Sequence, residues 1–271
     1  YNLSKSAAGS SGGASTAVAA GLLPFADGTD QMGSCRGPAA FANIYGFRPT
    51  PGLISVERGK MKDKSPILTT PGCFARTPND MAILLDVMKG SDTLDKISFE
   101  LNDFFKNQNI SLDVFSSYKL GWLSDMNGKY KYEDGILNIC ENTLINLEKL
   151  KLKVEFLNPD FDCEALWKSW VIFRSKGIYE DTLSMNLENI DSMTFQAIWE
   201  YNLGSNISDN DLNIALEQKN KCSQQIDNIF SNYDFLALPS AQVFPFDKNK
   251  QFPEKINNIN LDTYHRWLEI F

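Results

Sequence analysis

The sequence predicts an α/β fold, and three observations carry that prediction. Residues 118–124 form a candidate strand, 136–150 an amphipathic helix and 154–157 a second strand, joined by short connections. Strand, helix, strand at that spacing is the pattern of an α/β unit. A long polar-apolar stretch over 163–230 has helical periodicity, and the short apolar run Phe235-Leu236-Ala237-Leu238 after it ends at Pro239 as a buried strand would. With 271 residues and 43% apolar content the chain can bury a sizeable core, as one large domain or two small ones.

The elements follow in order. Residues 1–8 are polar and small, a poor strand. Gly9-Ser10-Ser11-Gly12-Gly13 comes next, and residues 14–23 are rich in alanine with one valine, which predicts a small-residue helix suited to close burial. Residues 22–26 are short and apolar, Asp27-Gly28-Thr29-Asp30 is a turn signal, and a second glycine-serine cluster, Gln31-Met32-Gly33-Ser34, follows. Two prolines exclude helix from 46–55, which predicts a turn and then a short strand. Residues 56–70 are polar and lysine-bearing, a surface excursion. After 71–77, Pro78-Asn79-Asp80 caps a helix with Met81, Leu84, Leu85 and Met88 on one face, ended by Gly90. Residues 92–112 are weakly patterned. The strand at 118–124 stops at Asp125-Met126-Asn127-Gly128. Apolar positions Ile136, Ile139, Cys140, Leu144, Leu147 and Leu150 mark the buried side of the following helix. Trp167, Trp170, Val171 and Phe173 form an aromatic stripe, with core packing its first role and pocket lining its second. Asn206-Ile207-Ser208-Asp209 caps a helix over 210–230, and the chain ends in a helix-like tail carrying His265.

Composition narrows the function classes. A net charge of −8 argues against nucleic acid as a direct partner. No run of about 18 apolar residues is present, so no helical membrane span is expected. Cys35, Cys73, Cys140, Cys163 and Cys222 are five, with no C-x-x-C pair. That pattern predicts reduced thiols, a cytoplasmic protein and no zinc.

The chemistry centres on residues 9–50. A glycine-rich turn feeding a helix presents unpaired N–H groups, and the second cluster can aim successive N–H groups at one point beside a serine hydroxyl. A nucleophile with donors beside it is what acyl transfer needs. A phosphate-binding loop would require a Gly-Lys-Ser/Thr ending, which is absent. The pattern G-x-S-x-G centred on Ser11 is a nucleophile elbow only behind a buried strand, which residues 1–8 do not supply. A flexible serine-glycine loop would explain one cluster and not two. His265, the single histidine, is expected to be partly exposed and outside the chemistry. Without a histidine a serine nucleophile needs another base, and a lysine with a lowered pKa is the usual substitute. Lys5 is expected to face solvent, and Cys35 is a weak rival nucleophile.

Gly-Ser-Ser-Gly-Gly, a small-residue helix, Gly-Thr-Asp, Gly-Ser-x-Arg-x-Pro and Gly-Phe-Arg-Pro-Thr together resemble the amidase signature family of serine hydrolases. The resemblance runs nearly the length of the chain, tightest over 1–55 and loose over 95–230. It implies an amidase signature domain over 1–271 with a mixed central sheet surrounded by helices. It implies a catalytic core at 1–55, a variable substrate side at about 160–260, and further sequence beyond both ends. By that resemblance Ser34 is the acylated nucleophile. Ser10, held by a cis peptide bond, relays the proton. The N–H groups of Gln31, Met32, Gly33 and Ser34 form the oxyanion hole, and Asp30 and Arg36 brace the loop. The family's base is a lysine upstream of the first cluster. The expectation is therefore that residues 1–271 alone are inactive.

What the resemblance implies is an amidohydrolase that cleaves a small carboxylic amide through a serine acyl-enzyme. It implies no cofactor, no metal and no membrane, and leaves room for a homodimer. Met32 stands where the family usually has glycine, and would narrow the pocket. Two alternatives remain. One is the glutaminase component of a tRNA-dependent amidotransferase, against which Thr70-Pro71-Gly72-Cys73 departs from the usual Asp-Gln-Ile-Gly-Pro element. The other is a non-catalytic binding protein, against which Ser10 and Ser34 are both kept. Gly72-Cys73-Phe74-Ala75-Arg76-Thr77 is similar to the family's Gly-Pro-Met-Ala-Arg-Thr element.

Overall fold

The computed structural model describes residues 2–57, 66–104, 112–185 and 190–271. These fall into two units, one of 2–57, 67–104, 112–157 and 235–271, the other of Pro66 and 158–234.

In the first unit, β1 (Phe25–Asp30), β2 (Tyr45–Phe47) and β3 (Thr70–Ala75) form an antiparallel sheet with β3 in the centre. Side chains alternate across a strand, and β3 uses both faces. Phe74 packs with Val18 of α1 (Gly12–Ala19) and Ala39 of α2 (Arg36–Ala42). Cys73 and Ala75 face the other way, onto Met81 and Leu85 of α3 (Pro78–Met88) and onto Ile54.

Several local expectations change here. The turn signal Asp27-Gly28-Thr29-Asp30 lies inside β1, because Gly28 pairs with Gly72 across the ladder. Both glycines are needed for close approach: a Cβ on Gly28 would lie 3.1 Å from Cys35 Sγ, and one on Gly72 would lie 2.9 Å from the same sulfur. Residues 71–77 likewise begin as a strand, with Pro71 opposite Thr29 where β2 does not reach. The small-residue helix starts at Gly12 and stops at Ala19, short of 23. Gly21, with φ of 73°, turns the chain, and Leu22 N–H donates back to Ala17 O at 2.9 Å. Around residue 50 the order is reversed, with β2 ahead of the turn and Ile54 bridged to Gly90. Of the polar excursion 56–70, residues 58–65 lie outside the described residues, and Thr70 is fully buried. The cap of α3 is Thr77, whose hydroxyl accepts from Asp80 N–H at 3.1 Å, with Pro78 in the first turn.

The second sheet is parallel. β4 (Lys119–Trp122) lies between β5 (Lys153–Phe156) and β6 (Phe235–Ala237), and α4 (Ile136–Lys149) connects β4 to β5. Leu137, Cys140, Leu144 and Leu147 of α4 pack on Leu120 and Trp122. Ile136 is buried as expected, whereas Ile139 and Leu150, expected on the same side, are 57% and 41% exposed, and Leu137 takes the inward place instead. The strand expected to be buried at 235–238 is an edge strand, and Phe235 is 48% exposed. A small ribbon, β7 (Lys255–Ile256) with β8 (Ile259–Asn260), had no clear sequence signal. The helix-like tail is one 3₁₀ turn, Arg266–Leu268, and Trp267 buries against Val243 and Ile256. His265, expected to be partly exposed, is only 2% exposed. Its Nδ1 meets Thr263 Oγ1 at 2.9 Å and its ring stacks on Tyr264. The fold is thus mixed α/β, with parallel and antiparallel ladders.

The second unit contains α5 (Cys163–Ser184), α6 (Phe195–Ser205) and α7 (Asp209–Phe230). Trp167 and Phe173 of the aromatic stripe are buried, and Trp167 stacks on Trp170. Buried Glu200 accepts from Arg174 Nε and from the Ser175 hydroxyl. Ser208 and Asp211 form the capping box that starts α7, one residue ahead of the expected 210.

Candidate active site

The two glycine-serine clusters come together through backbone. Ser11 N–H donates to Ser34 O at 3.3 Å, and Ser11 Oγ lies 3.3 Å from Thr29 O and 3.4 Å from Thr29 N. One serine therefore ties the first cluster to the last residues of β1 and to Ser34. The peptide bond between Gly9 and Ser10 is cis. Ser10 is exposed and Ser34 half-buried. Among the described residues neither hydroxyl has a hydrogen-bond partner, His265 included. Arg76 fixes the far end of α1, with Nη1 donating to Val18 O and Leu23 O, each at 2.7 Å.

The second cluster is organised around one carboxylate. Asp30, at the end of β1, is fully buried. Its Oδ1 accepts from Gly33 N–H at 2.9 Å and its Oδ2 from Cys35 N–H at 3.1 Å and Arg36 N–H at 3.3 Å. The Arg36 side chain adds Nε at 3.0 Å and Nη2 at 2.8 Å. Arg48 adds Nη1, at 3.0 Å from Oδ1 and 2.6 Å from the Asp30 carbonyl, while its Nη2 reaches Leu68 O at 2.8 Å. Burial alone would push the Asp30 carboxyl up. The Arg36 hydrogen bonds and charge, the Cys35 N–H and Arg48 outweigh it and hold the carboxyl well below the usual carboxylate range. Sequence reading places Asp30 and Arg36 here and misses Arg48, for which the motif Gly-Phe-Arg-Pro-Thr is the one signal.

The N–H groups next to Ser34 are divided by this arrangement. That of Gly33 is taken by Asp30, so it is turned away from the oxyanion role expected of it. Among the described residues those of Met32 and Ser34 have no protein acceptor. Met32 is 7% exposed, so its side chain sits inside the protein. Cys35 is no rival nucleophile: burial, then the charge of Asp30 and the nearby Cys73, push its thiol up to about 12. All five cysteines are free.

The spaces around the site are modest. An open depression of about 500 Å³ is lined by Ala7, Ser10, Gly12, Thr16 and Leu22 among others. A second, of about 360 Å³, is lined by Arg36, Ala39, Ile44, Pro239 and Phe271 among others. A larger one, of about 710 Å³, runs past Lys5, Glu133, Phe244, Phe252 and Lys255 and holds neither serine. Lys5 is exposed, as expected, and its backbone forms an isolated antiparallel β-bridge with that of Asp247. No group of three or more metal-ligating side chains occurs among the described residues, and no described helix is long and apolar enough to cross a membrane.

Comparison with known proteins gives a consistent set. The family model described as Amidase matches residues 1–270. The acylamidase of Rhodococcus erythropolis is 33% identical over 63% of this chain and 36% of its own. The glutamyl-tRNA(Gln) amidotransferase A subunit of Pseudomonas putida (strain GB-1) is 45% identical over 72% of this chain and 38% of its own. The chain thus spans less than two fifths of these curated relatives. Among solved structures, a bacterial aryl acylamidase of the amidase signature enzymes superposes with a TM-score of 0.86 at 22% identity, covering 99% of this chain and 57% of that one. The corresponding amidotransferase A subunit of Thermotoga maritima gives 0.75 at 23%, covering 99% and 58%. At these identities the structural likeness speaks for the fold.

Proposed function

The chain belongs to the Amidase family, and from that premise we propose that residues 9–36 are the nucleophile half of a carboxylic amide hydrolase. The observation that carries this reading is the wiring of Ser34. Its loop is fixed by Asp30, its own N–H and that of Met32 have no protein acceptor among the described residues, and its carbonyl is tied to the cluster that bears Ser10. A carbonyl oxygen seated on those N–H groups, with that of Gln31 beside them, would place the carbonyl carbon next to Ser34 Oγ.

In the proposed reaction Ser34 Oγ bonds to the carbonyl carbon and its proton passes to Ser10. The C–N bond breaks as the proton reaches the leaving nitrogen. Ammonia or an amine departs, and water then releases the acid and restores Ser34. Ser10 is a relay in this scheme, and the base behind it is the lysine that the family resemblance implies. The chemistry asks for no cofactor.

The test is covalent labelling of the full-length protein with a fluorophosphonate, followed by peptide mapping. The label is expected on Ser34. Ser34→Ala should abolish labelling and amide turnover together, and Ser10→Ala should slow both by about a hundredfold or more without moving the label. A label on Ser11 that vanishes in His265→Ala would replace this reading with a Ser-His arrangement.

The 45% identity to an amidotransferase component supports a second reading, in which the substrate amide is glutamine and a partner accepts the ammonia. Glutamine turnover that rises on adding candidate partner proteins would select it. Turnover of simple anilides by the protein alone would select the free-standing amidase.

A further inference from the structure

Phe271 lies against the loop that carries Ser34. A Cβ built on Gly33 would fall 2.4 Å from two carbons of the Phe271 ring, so the ring rests directly on the Gly33 backbone. The same ring lies 3.4 Å from the Cβ position of Gly37. The Arg36 guanidinium sits 5.0 Å from its centroid, and Arg36 Nη1 donates to the Phe271 carbonyl at 3.1 Å. Arg36 therefore holds the Asp30 carboxylate with one edge and Phe271 with another.

The segment behind the ring is also held. Phe271 N–H donates to Leu268 O at 3.1 Å. Two residues back, Glu269 Oε1 accepts from buried Gln242 and Glu269 Oε2 pairs with Arg266. Phe271 is half-buried and lines the depression of about 360 Å³ that also includes Arg36, Ala39, Ile44 and Pro239. An aromatic ring fixed at both backbone and face, laid on the Gly33 backbone between Met32 and Ser34 in the chain and lining an apolar hollow, forms a wall.

From these contacts we propose that Phe271 is a specificity-determining residue, which limits the size of the substrate group lying on the Gly33 side of the reacting carbonyl. The inference rests on the amide hydrolase reading of Ser34. Small or slender groups pass the ring; a fused or branched group meets it. Truncating the ring joins the hollow behind it to the reaction site, and a bulky apolar group can then use that space. Hydrophobic pockets separate substrates by about 10–200-fold per methylene-sized change, so a whole ring is enough to change preference visibly.

The experiment uses the full-length protein and two anilide series, one with acyl groups from acetyl to naphthoyl, the other with amines from aniline to a naphthylamine. In Phe271→Ala the kcat/KM ratio of the bulkiest to the smallest member should rise by about tenfold or more in one of the two series, mainly through KM. Phe271→Tyr should keep the original ratio and Phe271→Leu should fall between. A variant that loses activity equally across both series, with the ratios unchanged, would mean that the ring only steadies Arg36 and the loop, and the proposal would be overturned. To separate this from failure of the hydrolase reading, the same proteins are treated with a small and a bulky fluorophosphonate. Wild-type labelling at Ser34 with a size ratio unaffected by Phe271→Ala overturns the wall and leaves the hydrolase standing. Absence of any serine labelling in wild type overturns both.

Discussion

The two serine clusters have nearly the same composition and are held in different ways. The first, from Gly9 to Gly13, is largely exposed, and among the described residues its hydrogen bonds outside α1 come through Ser11. The second has Met32, Gly33 and Cys35 buried and is wired to one carboxylate by three backbone N–H groups and two guanidiniums. Both are glycine-serine loops in the sequence. One is positioned by its neighbours' backbone and the other by a buried ionic hub, so damage to the hub should spread further than damage to Ser11.

The largest expected effect is at Asp30. Asp30→Asn leaves two guanidiniums facing a neutral amide in a buried place, and should lower unfolding stability by about 2–4 kcal/mol. Both arginines keep some access to water, at 28% and 22% exposure, which holds the loss toward the lower figure. The same carboxyl sets an acid limb. Its pKa is depressed in the folded protein, so the unfolded chain binds the extra proton first. The stabilisation is therefore present above the unfolded value of about 3.9 and is lost as pH falls below it. Urea midpoints measured from pH 6 to pH 2 should fall in wild type and flatten in Asp30→Asn. A wild-type slope that the variant retains would remove Asp30 as the hub.

Arg48→Ala should cost less, about 1–2 kcal/mol, because Arg36 still neutralises Asp30. Arg48→Lys should not restore it, since one ammonium cannot reach Asp30 and Leu68 O in the same fork geometry. Full rescue by lysine in a thermal melt would show that charge alone matters. The smallest effect is expected at Ser11→Ala, about 0.5–1 kcal/mol, because its N–H bond to Ser34 O survives the change. A loss as large as that of Asp30→Asn would erase the contrast between the clusters.

Part of this was legible in the sequence and part was not, for definable reasons. Helix α4 announces itself through its 3.6-residue spacing and α7 through the cap at Asn206-Ile207-Ser208-Asp209, signals that act within one or two turns. The strand β1 does not, because Asp-Gly-Thr-Asp has the local chemistry of a turn. Only the partner ladder and the close approach to Cys35 make it extended. Arg48 shows the same limit at the site, as it reaches Asp30 across 18 positions through a fold the local sequence does not describe. The family resemblance points to Ser10, Ser34, Asp30 and Arg36 because it carries such long-range information. It groups the N–H of Gly33 with its neighbours, although hydrogen bonding separates them. His265 looks like an exposed tail residue because its burial depends on Thr263 and Tyr264 settling around it in a tail with no regular period.

The facing pair Gly28 and Gly72 leaves a notch in the sheet, and the sulfur of Cys35 lies in it. That sulfur belongs to the residue after Ser34 and has no exposure to solvent. An alkylating reagent can reach it only when the packing of α1, α2 and β3 around it opens. Its modification rate is therefore a clock for how often the second cluster comes apart while the rest of the chain stays folded. Cys140, Cys163 and Cys222, all partly accessible, supply the reference rates within the same molecule.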